Sequence, residues 1–571
     1  MRGIIPAAIV LLCAAQLPLS AQKNSVTKKN STVTEAVVTY GIRANGKEQP
    51  GSSLKLFIRN GQAHIVQGNN REKEQQYIDY AENATLQVLS LEDGSVSVLK
   101  KPFSSQAEAT LLPDTATILG YPCKKAKLTV RSNAIEVWYT TALAVKGSPT
   151  FSIAPQLGLV LKIVRNGNFE TFARDITFRK VTDQELAWPG NKGTLVDEPS
   201  YQAVIINSRY KTINIFTNEQ LSFGNPINNP EGEQLNQTYH YSGGTIVLKK
   251  VALPKARRGQ NLFAELTQRS NGDAYDRTGS VFIIPLDKKE TFLKGLKEGS
   301  KALPSFTASN GKVYQGVVAT DNYLPILEVM RFFTPFGVGH FNKQVQIKGY
   351  PWADSVIYKQ DVSELLPRLE GEVWVGVFIG NYDKGGHKVS LDFKYYPGFE
   401  GERPEAQSTA WIMPVFNTTN VMEMTGQEYG TMFEKDSLTV MVDIPTGVSN
   451  LKMRYITTGH GGWGGGDEFN PKLNEIFVDG QRVYHFIPWR TDCAVYRLSN
   501  PSSGNFGTGL SSSDLSRSNW CPGTLTLPVD VPLPDLKPGK HTFKVAIPLG
   551  KSEGGSFSAW NVSGTLIGDK K

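Results

Sequence analysis

Short stretches that alternate apolar and polar residues recur along the whole chain and predict β-strands. They are rich in β-branched and aromatic residues and are bounded by Gly, Pro, Asn or Asp. Helical spacing is confined to 288–299 and 361–371, each long enough for a turn or two. Many short strands with few helices predict an all-β fold of sandwiches or jelly rolls. The clearest strand stretches are SLKLFIRN (53–60), AIEVWYTT (134–141), GSVFIIPL (279–286), VWVGVFIG (373–380), HKVSLDFKYY (387–396), LTVMVDIP (438–445) and HTFKVAIPL (541–549).

Two breaks in this pattern divide the chain, whose 571 residues are too many for one hydrophobic core. The first break, AWPGNKGTLVDEPS, and the second, YYPGFEGERPEAQSTA, are both rich in turn-forming residues. We therefore expect an N-terminal β-domain over 22–195, a middle β-domain over 205–400 and a C-terminal β-domain over 405–571. The short second linker predicts that the last two domains pack together and share a cleft.

The first residues have the composition of a secretory signal peptide. Arg2 precedes an apolar run from Ile4 to about Leu17, and the small residues Ser20 and Ala21 favour cleavage after position 21. The run is too short for a permanent membrane span, and no later stretch is sufficiently apolar. The sequence thus predicts a secreted or periplasmic protein with a signal peptide over 1–21 and no integral membrane segment.

Cysteine positions are consistent with export. Once the signal peptide is removed, Cys123, Cys493 and Cys521 remain. In an oxidising compartment Cys493 and Cys521 form the natural pair, because they flank a loop rich in Gly, Ser and Asn that burial alone would not order. Cys123 is then expected to be a buried thiol.

Charge and histidine content exclude several functions. The formal net charge of +8 is spread along the chain without a basic run, so nucleic-acid binding is not expected. No CxxC or HExxH motif occurs, and the seven histidines are scattered. The sequence therefore predicts neither a metal site nor another cofactor.

The stretch GHGGWGGGDEFNP, from Gly459 to Pro471, concentrates glycine around one tryptophan and ends in two adjacent acids, Asp467 and Glu468. Glycine permits close approach of another group at an entropic cost. One interpretation is a flexible hairpin loop, and the other is a wall of a binding cleft.

Other aromatic residues lie beside charged ones. The middle domain has Asp276 and Arg277 at the entrance to an apolar strand, a pair that could also be an ordinary surface ion pair. Rings beside arginines and carboxylates suit a polar, ring-shaped ligand such as a sugar, whose C–H faces stack on the rings. The further residues of this kind are Tyr275, Trp463, Glu468, Phe469, Arg517 and Trp520.

Four motifs in this order resemble the bacterial peptide-N-glycosidase F family: AYDRTGSVFI, RFFTPFGVG, GWGGGDEF and SNWCPGTLTLPVDV. The resemblance extends from about Tyr210 to the C-terminus. It implies two adjacent eight-stranded antiparallel jelly rolls with the active site at their interface. It also implies an amidase that cleaves between asparagine and the innermost N-acetylglucosamine of an N-glycan, giving aspartate and a glycosylamine. Its partners would be N-glycosylated peptides and glycoproteins, and we expect a monomer.

The same resemblance assigns roles to individual residues. Asp276 matches the principal catalytic aspartate and Glu468 the second catalytic acid. Arg277 and Arg517 match substrate-contacting arginines. The residues that match cleft-lining aromatics are Trp463, Phe469 and Trp520, and Tyr275 adjoins the aspartate. Cys493 and Cys521 match a family disulfide, whereas the family's other disulfides are absent.

One departure from the family pattern concerns specificity. The family has a further glutamate two residues before a tryptophan, and FIGNY places Gly380 and Tyr382 at those positions. Loss of this acid should weaken polar contact with the core sugar and open space beside it. The departure therefore predicts tolerance of core α1,3-fucose.

Two other functions remain open on the sequence. The same jelly rolls could form a non-catalytic N-glycan-binding or adhesion protein, although such a protein would not need both Asp276 and Glu468. A glycosidase could use the same acids to cut between sugars. The N-terminal domain resembles the GLPGLI-type β-domains of secreted Bacteroidetes proteins through APQLGLVLKI (154–163) and is expected to be an accessory domain, with a mere spacer as the alternative.

Overall fold

Most of the regular structure in the described part of the chain is β-sheet, in agreement with the all-β prediction. The computed structural model describes residues 32–67, 74–91, 93–189, 193–255, 259–309, 311–397, 409–427, 429, 432–435, 437–461, 466–549 and 558–570. The expected signal peptide over 1–21 and much of the second linker lie outside these ranges. No helix in the described part of the chain is both long and apolar enough to cross a membrane.

The chain divides into two compact units, Met1–Arg209 and Tyr210–Lys571. The described part of the first unit is one twelve-stranded sheet with the order β12-β6-β5-β4-β3-β2-β1-β11-β10-β9-β8-β7. Its strands are β1 (Glu35–Ala44), β2 (Lys47–Arg59), β3 (Gln62–Gln67), β4 (Glu74–Asp79), β5 (Ala84–Ser90), β6 (Val96–Pro102), β7 (Thr110–Ile118), β8 (Tyr121–Val130), β9 (Asn133–Thr140), β10 (Leu159–Arg165), β11 (Phe169–Thr177) and β12 (Thr194–Leu195).

Apolar residues are buried on both faces of this sheet, and the larger cluster lies on the face of Val38. Tyr40 is fully buried there and donates a hydrogen bond to the carbonyl of Val160. Cys123 is a buried free thiol, as predicted. Two helices, α1 (Asp183–Leu186) and α2 (Glu198–Arg209), precede and follow β12 in the chain. Thr182 and Glu185 cap the start of α1 reciprocally, which satisfies amide groups that a helix start leaves unpaired.

The second unit begins with two sheets that form the first jelly roll. Their orders are β13-β23-β16-β21 and β14-β15-β22-β17-β20-β29, which gives ten strands where eight were expected. One of them, β29, comes from later in the chain. The elements of this region are β13 (Lys211–Leu221), β14 (Thr238–Tyr241), β15 (Ile246–Leu253), β16 (Asn261–Ser270), β17 (Thr278–Ile284), α3 (Phe292–Glu298), β18 (Ser305–Thr307), β19 (Val313–Gln315), β20 (Leu327–Phe333), β21 (Val356–Asp361), β22 (Gly371–Ile379) and β23 (His387–Tyr396).

Two four-stranded sheets, β24-β32-β26-β30 and β25-β31-β27-β28, form the second jelly roll. Its strand β25 alternates buried and less buried residues along its whole length, as expected for a strand with one face in a core. The elements are β24 (Thr409–Asn417), α4 (Met432–Lys435), β25 (Leu438–Ile444), β26 (Val448–His460), β27 (Asn474–Val478), β28 (Gln481–Phe486), β29 (Leu525–Thr526), β30 (Val529–Leu533), β31 (Gly539–Ala546) and β32 (Ala559–Lys570).

A buried ion pair joins the two jelly rolls. On β20, Arg331 binds Glu328 through two hydrogen bonds of 2.9 and 2.7 Å, and neither side chain is appreciably exposed. The same guanidinium donates to Thr458 of β26 and to the carbonyl of Asn561 on β32. These hydrogen bonds fix strand β20 of the first jelly roll to the second jelly roll.

Candidate active site

Arg517 connects the two predicted catalytic acids. Its guanidinium lies 3.3 Å from the Oδ2 atom of Asp276 and forms an ion pair with Glu468. Asp276 lies in the connection between β16 and β17, and Glu468 lies after β26. The side chain of Arg517 has no exposed surface, whereas those of the two acids are 15% and 16% exposed. The structure thus brings together acids that are 192 residues apart in sequence.

The environment of Asp276 favours its protonated form. Burial raises the pKa of its carboxyl to about 6, although the charge of Arg517 opposes the shift. Transfer of a carboxylate out of water disfavours the charged form. A carboxyl group with such a pKa is mostly ionised at neutral pH and can still accept a proton, as a general base must.

Aromatic rings pack on Arg517. Its guanidinium carbon lies 4.9 Å from the ring centre of Phe469 and 4.4 Å from that of Trp520. Trp520 is only 2% exposed and stacks on Phe333 at 4.2 Å. Trp520 therefore lies beneath the arginine, where it supports the guanidinium, and is not at the surface of a cleft. The carbonyl and hydroxyl of Ser512 also accept hydrogen bonds from Arg517.

The adjacent acids of the glycine-rich stretch have different environments. Asp467 is almost fully buried and accepts a 2.8 Å hydrogen bond from the indole of Trp560. Its carboxylate therefore has a structural role in the core. Glu468 binds Arg517 instead. Glycine is required at position 466, because an added Cβ would collide with the carbonyl oxygen of Gly461. Gly461 itself has φ = 112°, which favours glycine.

Arg277 lies in a second cluster. Its Nε atom donates a 2.7 Å hydrogen bond to Asp273, which in turn contacts the buried His387 at 3.4 Å. The guanidinium carbon lies 5.0 Å from the ring centre of Tyr275 and 5.5 Å from that of Tyr382. Arg277, which directly follows Asp276, is therefore oriented by Asp273 and by contact with two rings.

Gly380 directly follows β22, and its amide donates to the carbonyl of Thr278. A Cβ atom at this position would lie 3.1 Å from the ring of Phe378. Two residues later, the hydroxyl of Tyr382 donates a 2.8 Å hydrogen bond to Glu423. An acid therefore approaches this region from another part of the chain.

Among the remaining predicted site residues, Trp463 lies outside the part of the chain that the structure describes. Cys493 and Cys521 form a disulfide, as predicted, and the loop that it closes contains Arg517. Among the described residues, no group of three or more His, Cys, Asp or Glu side chains is arranged to hold a metal ion.

Three residues of the site were missed by sequence reasoning. Asp273 stands four residues before Arg277 in NGDAYDR, a spacing that could have suggested their ion pair. Glu423 and Ser512 carry no such local indication, because each meets its partner only in the folded chain.

Matches to protein-family models cover most of the chain. The model described as peptide-N-glycosidase F, N terminal, matches residues 212–395, and that described as peptide-N-glycosidase F, C terminal, matches 428–567. A third model, N-glycanase peptide, N-terminal domain, matches 38–203. The resemblance of the N-terminal domain to GLPGLI-type domains stays a prediction. A search of curated proteins finds no match.

The solved structures of PNGF-II agree with these matches. PNGF-II, solved in space group C2, is 44% identical to this chain. The match covers 94% of this chain and 98% of the PNGF-II chain, with a TM-score of 0.81. The same protein in space group P21 gives the same identity and TM-score. PNGase F, a glycosylasparaginase from Flavobacterium meningosepticum, is 15% identical over 63% of this chain and 96% of its own, with a TM-score of 0.43. On the family models and the PNGF-II structures together, the chain belongs to the peptide-N-glycosidase F family.

Proposed function

We propose that this protein is an amidase that hydrolyses the bond between asparagine and the innermost N-acetylglucosamine of N-glycosylated peptides and glycoproteins. The products would be aspartate in the peptide and a glycosylamine. One observation carries the proposal: Asp276 and Glu468, which come from different motifs, both form ion pairs with the buried guanidinium of Arg517. Membership of the peptide-N-glycosidase F family supports it.

The arrangement meets the requirements of amide hydrolysis. Water must lose a proton as its oxygen adds to the amide carbonyl, and the departing nitrogen must gain one as the C–N bond breaks. Asp276 is suited to accept the proton from water, since its pKa lies near neutrality. Glu468 would hold the water or the sugar, and an arginine can stabilise the developing oxyanion.

The test of these roles uses Asp276→Asn and Glu468→Gln on an N-glycosylated peptide. We expect the first variant to fold and to lose turnover, because an amide cannot accept the proton. The second should lose about 100-fold or more, the scale of general acid–base catalysis. Glu372→Gln makes the same acid-to-amide change at a surface ion pair with Lys250 and should retain full activity.

Near wild-type turnover by Asp276→Asn would overturn the catalytic assignment. If wild type bound the glycopeptide without releasing glycan, a non-catalytic glycan-binding protein would be the better description.

We also propose that the protein acts outside the cytoplasm. The signal-like residues 1–21 and the disulfide between Cys493 and Cys521 support export. Analysis of the N-terminus of the protein recovered from its native host would test the expected cleavage after Ala21. Intact Met1 on the exported protein would contradict it.

A finer proposal concerns glycans with core α1,3-fucose. The family pattern has a glutamate where Gly380 stands, and a side chain that grips the core sugar there would collide with a substituent on O3. Glycine has no side chain that could occupy this place near Tyr382. The alternative is that specificity is set elsewhere in the protein, including the N-terminal domain.

Horseradish peroxidase, a plant glycoprotein, provides the test. Wild type should release its glycans, and Gly380→Glu should lose this release while largely keeping release from a non-fucosylated substrate. Gly380→Ala is the matched control, since it adds only the Cβ atom that would crowd Phe378. Equal release by wild type and Gly380→Glu would contradict the steric account.

A further inference from the structure

Two exposed tyrosines, Tyr275 and Tyr382, form a rim of rings beside the proposed catalytic residues, and Glu423 lies at its end. Tyr275 and Tyr382 are 61% and 56% exposed, and Arg277 packs on both. The hydroxyl of Tyr382 donates a 2.8 Å hydrogen bond to Oε1 of Glu423. Because Tyr275 and Arg277 flank Asp276 in sequence, this rim begins at the proposed catalytic aspartate.

The two members of the Tyr382–Glu423 contact come from separate segments. Tyr382 follows β22 of the first jelly roll, whereas Glu423 begins the 3₁₀ turn Glu423–Thr425, between β24 and β25. The amide of Glu423 donates to the carbonyl of Asn420, which fixes the start of that turn. The edge of Phe223 packs against Tyr382 at 6.1 Å. Both side chains are therefore held in place although they are exposed.

The hydrogen bond has a defined direction. The ordinary pKa of a phenol, 10.0, is already far above neutral pH, and partial burial and the bond to Glu423 raise it further. The hydroxyl of Tyr382 is therefore the donor. The carboxylate of Glu423 accepts on Oε1. The second carboxylate oxygen of Glu423 accepts no hydrogen bond from the described residues, so it can accept one from a ligand.

We propose that Glu423 is a specificity-determining residue, which accepts hydrogen bonds from hydroxyl or acetamido N–H groups of the core sugars while Tyr382 offers its ring to their C–H faces. This inference rests on the proposed function and assigns an acid from another segment to the region near Gly380. An exposed ring beside an oriented carboxylate is the combination that a polar, ring-shaped ligand requires.

The test measures kcat and KM on one non-fucosylated glycopeptide. Glu423→Gln replaces one acceptor oxygen by a donor and should raise KM about 10-fold or more, since a tenfold change is close to the lower limit for a hydrogen bond to a charged group. The value of kcat should change less than about threefold. Tyr382→Phe removes only the hydroxyl that orients Glu423 and should raise KM by a smaller factor. Glu372→Gln, at the far end of β22, is the matched control and should leave both constants unchanged.

Thermal melting of each variant separates binding from folding. We expect Glu423→Gln to melt within about 2 °C of wild type, since exposed substitutions change stability little. A KM within twofold of wild type would overturn the role of Glu423, even if wild type releases glycan normally. Loss of kcat with unchanged KM would also overturn it, by assigning the residue to the chemical step. Absence of release by wild type would instead overturn the proposed function.

Discussion

At the scale of single residues, the central feature is a guanidinium without exposed surface. Removing such a group from water is costly unless charges and hydrogen bonds replace the lost hydration. Arg517 has the carboxylates of Asp276 and Glu468, the Ser512 oxygens and the faces of two rings. Arginine can make all these contacts at once because its planar group has five donors and two faces.

The raised pKa of Asp276 predicts a pH dependence of stability. The folded-state pKa of about 6 lies above the ordinary value of 3.8, so the folded protein binds the proton more tightly than the unfolded chain. The resulting contribution to stability is complete below about pH 4 and is lost as the pH rises through about 6. The asparagine of Asp276→Asn cannot ionise. The melting temperature of this variant minus that of wild type should therefore be larger at pH 8 than at pH 4.

Melting curves of both proteins over this pH range provide the measurement, with Glu372→Gln as the control that should show no such change. A melting-temperature difference between Asp276→Asn and wild type that stays constant from pH 4 to pH 8 would contradict the shifted pKa.

Sequence motifs located Asp276, Glu468, Arg277 and Arg517, but they could not define every role. The two acids of GDEF look equivalent in sequence, and only packing against Trp560 separates Asp467 from Glu468. The contact between Tyr382 and Glu423 joins residues 41 apart and depends on how two segments meet. Such pairings are set by tertiary structure, which local patterns do not encode.

At the scale of elements, alternation of apolar residues predicted the strands well. The stretch 387–396 coincides with β23, whose residues alternate strictly between buried and partly buried. Helix α2 was not predicted, because its sequence begins inside the first turn-rich break. Its Tyr201, Val204 and Ile205 do have helical spacing, and their apolar partners, such as Leu99, come from distant strands.

The loop closed by the Cys493–Cys521 disulfide is the element that carries Arg517. Its ends are 28 residues apart, and closing such a loop stabilises the folded state by about 3–4 kcal/mol in the chain-entropy model. We expect the double variant Cys493→Ala/Cys521→Ala to lose a comparable free energy of unfolding, measured by urea denaturation. Activity should fall as well, because Arg517 would lose its fixed position.

Cys123→Ala is the control for loss of a sulfur atom outside this loop, and it should retain activity. If the double cysteine variant kept both the stability and the activity of wild type, the loop would not depend on its disulfide.

At the scale of the whole molecule, the site requires both jelly rolls. Asp276 comes from the first and Glu468 from the second, so their relative position depends on how the two sandwiches dock. The Glu328–Arg331 pair lies at this junction and bonds to Thr458, Asn561 and Ser563 of the second jelly roll. Buried charges with many partners are well suited to fix one docking geometry.

This junction predicts a large effect of a single substitution. Arg331→Met should cost about 3–5 kcal/mol in the free energy of unfolding, because Glu328 is left buried without its counter-charge. Adding Glu328→Gln should recover part of that loss. Lys250→Met, at the exposed pair with Glu372, should cost less than about 1 kcal/mol. Urea denaturation measures all four proteins, and a cost below about 1 kcal/mol for Arg331→Met would contradict the role of the pair.

The most direct test of the proposed amidase reaction is the mass of the peptide after treatment of a glycopeptide with one N-glycosylated asparagine. Hydrolysis of the amide converts that asparagine to aspartate, so the freed peptide should be heavier than its asparagine form by about one mass unit. Asp276→Asn, incubated in parallel, controls for spontaneous deamidation and should leave the glycopeptide intact. A peptide that keeps a sugar stub, or unmodified asparagine after the glycan has gone, would show cleavage at another bond and contradict the account.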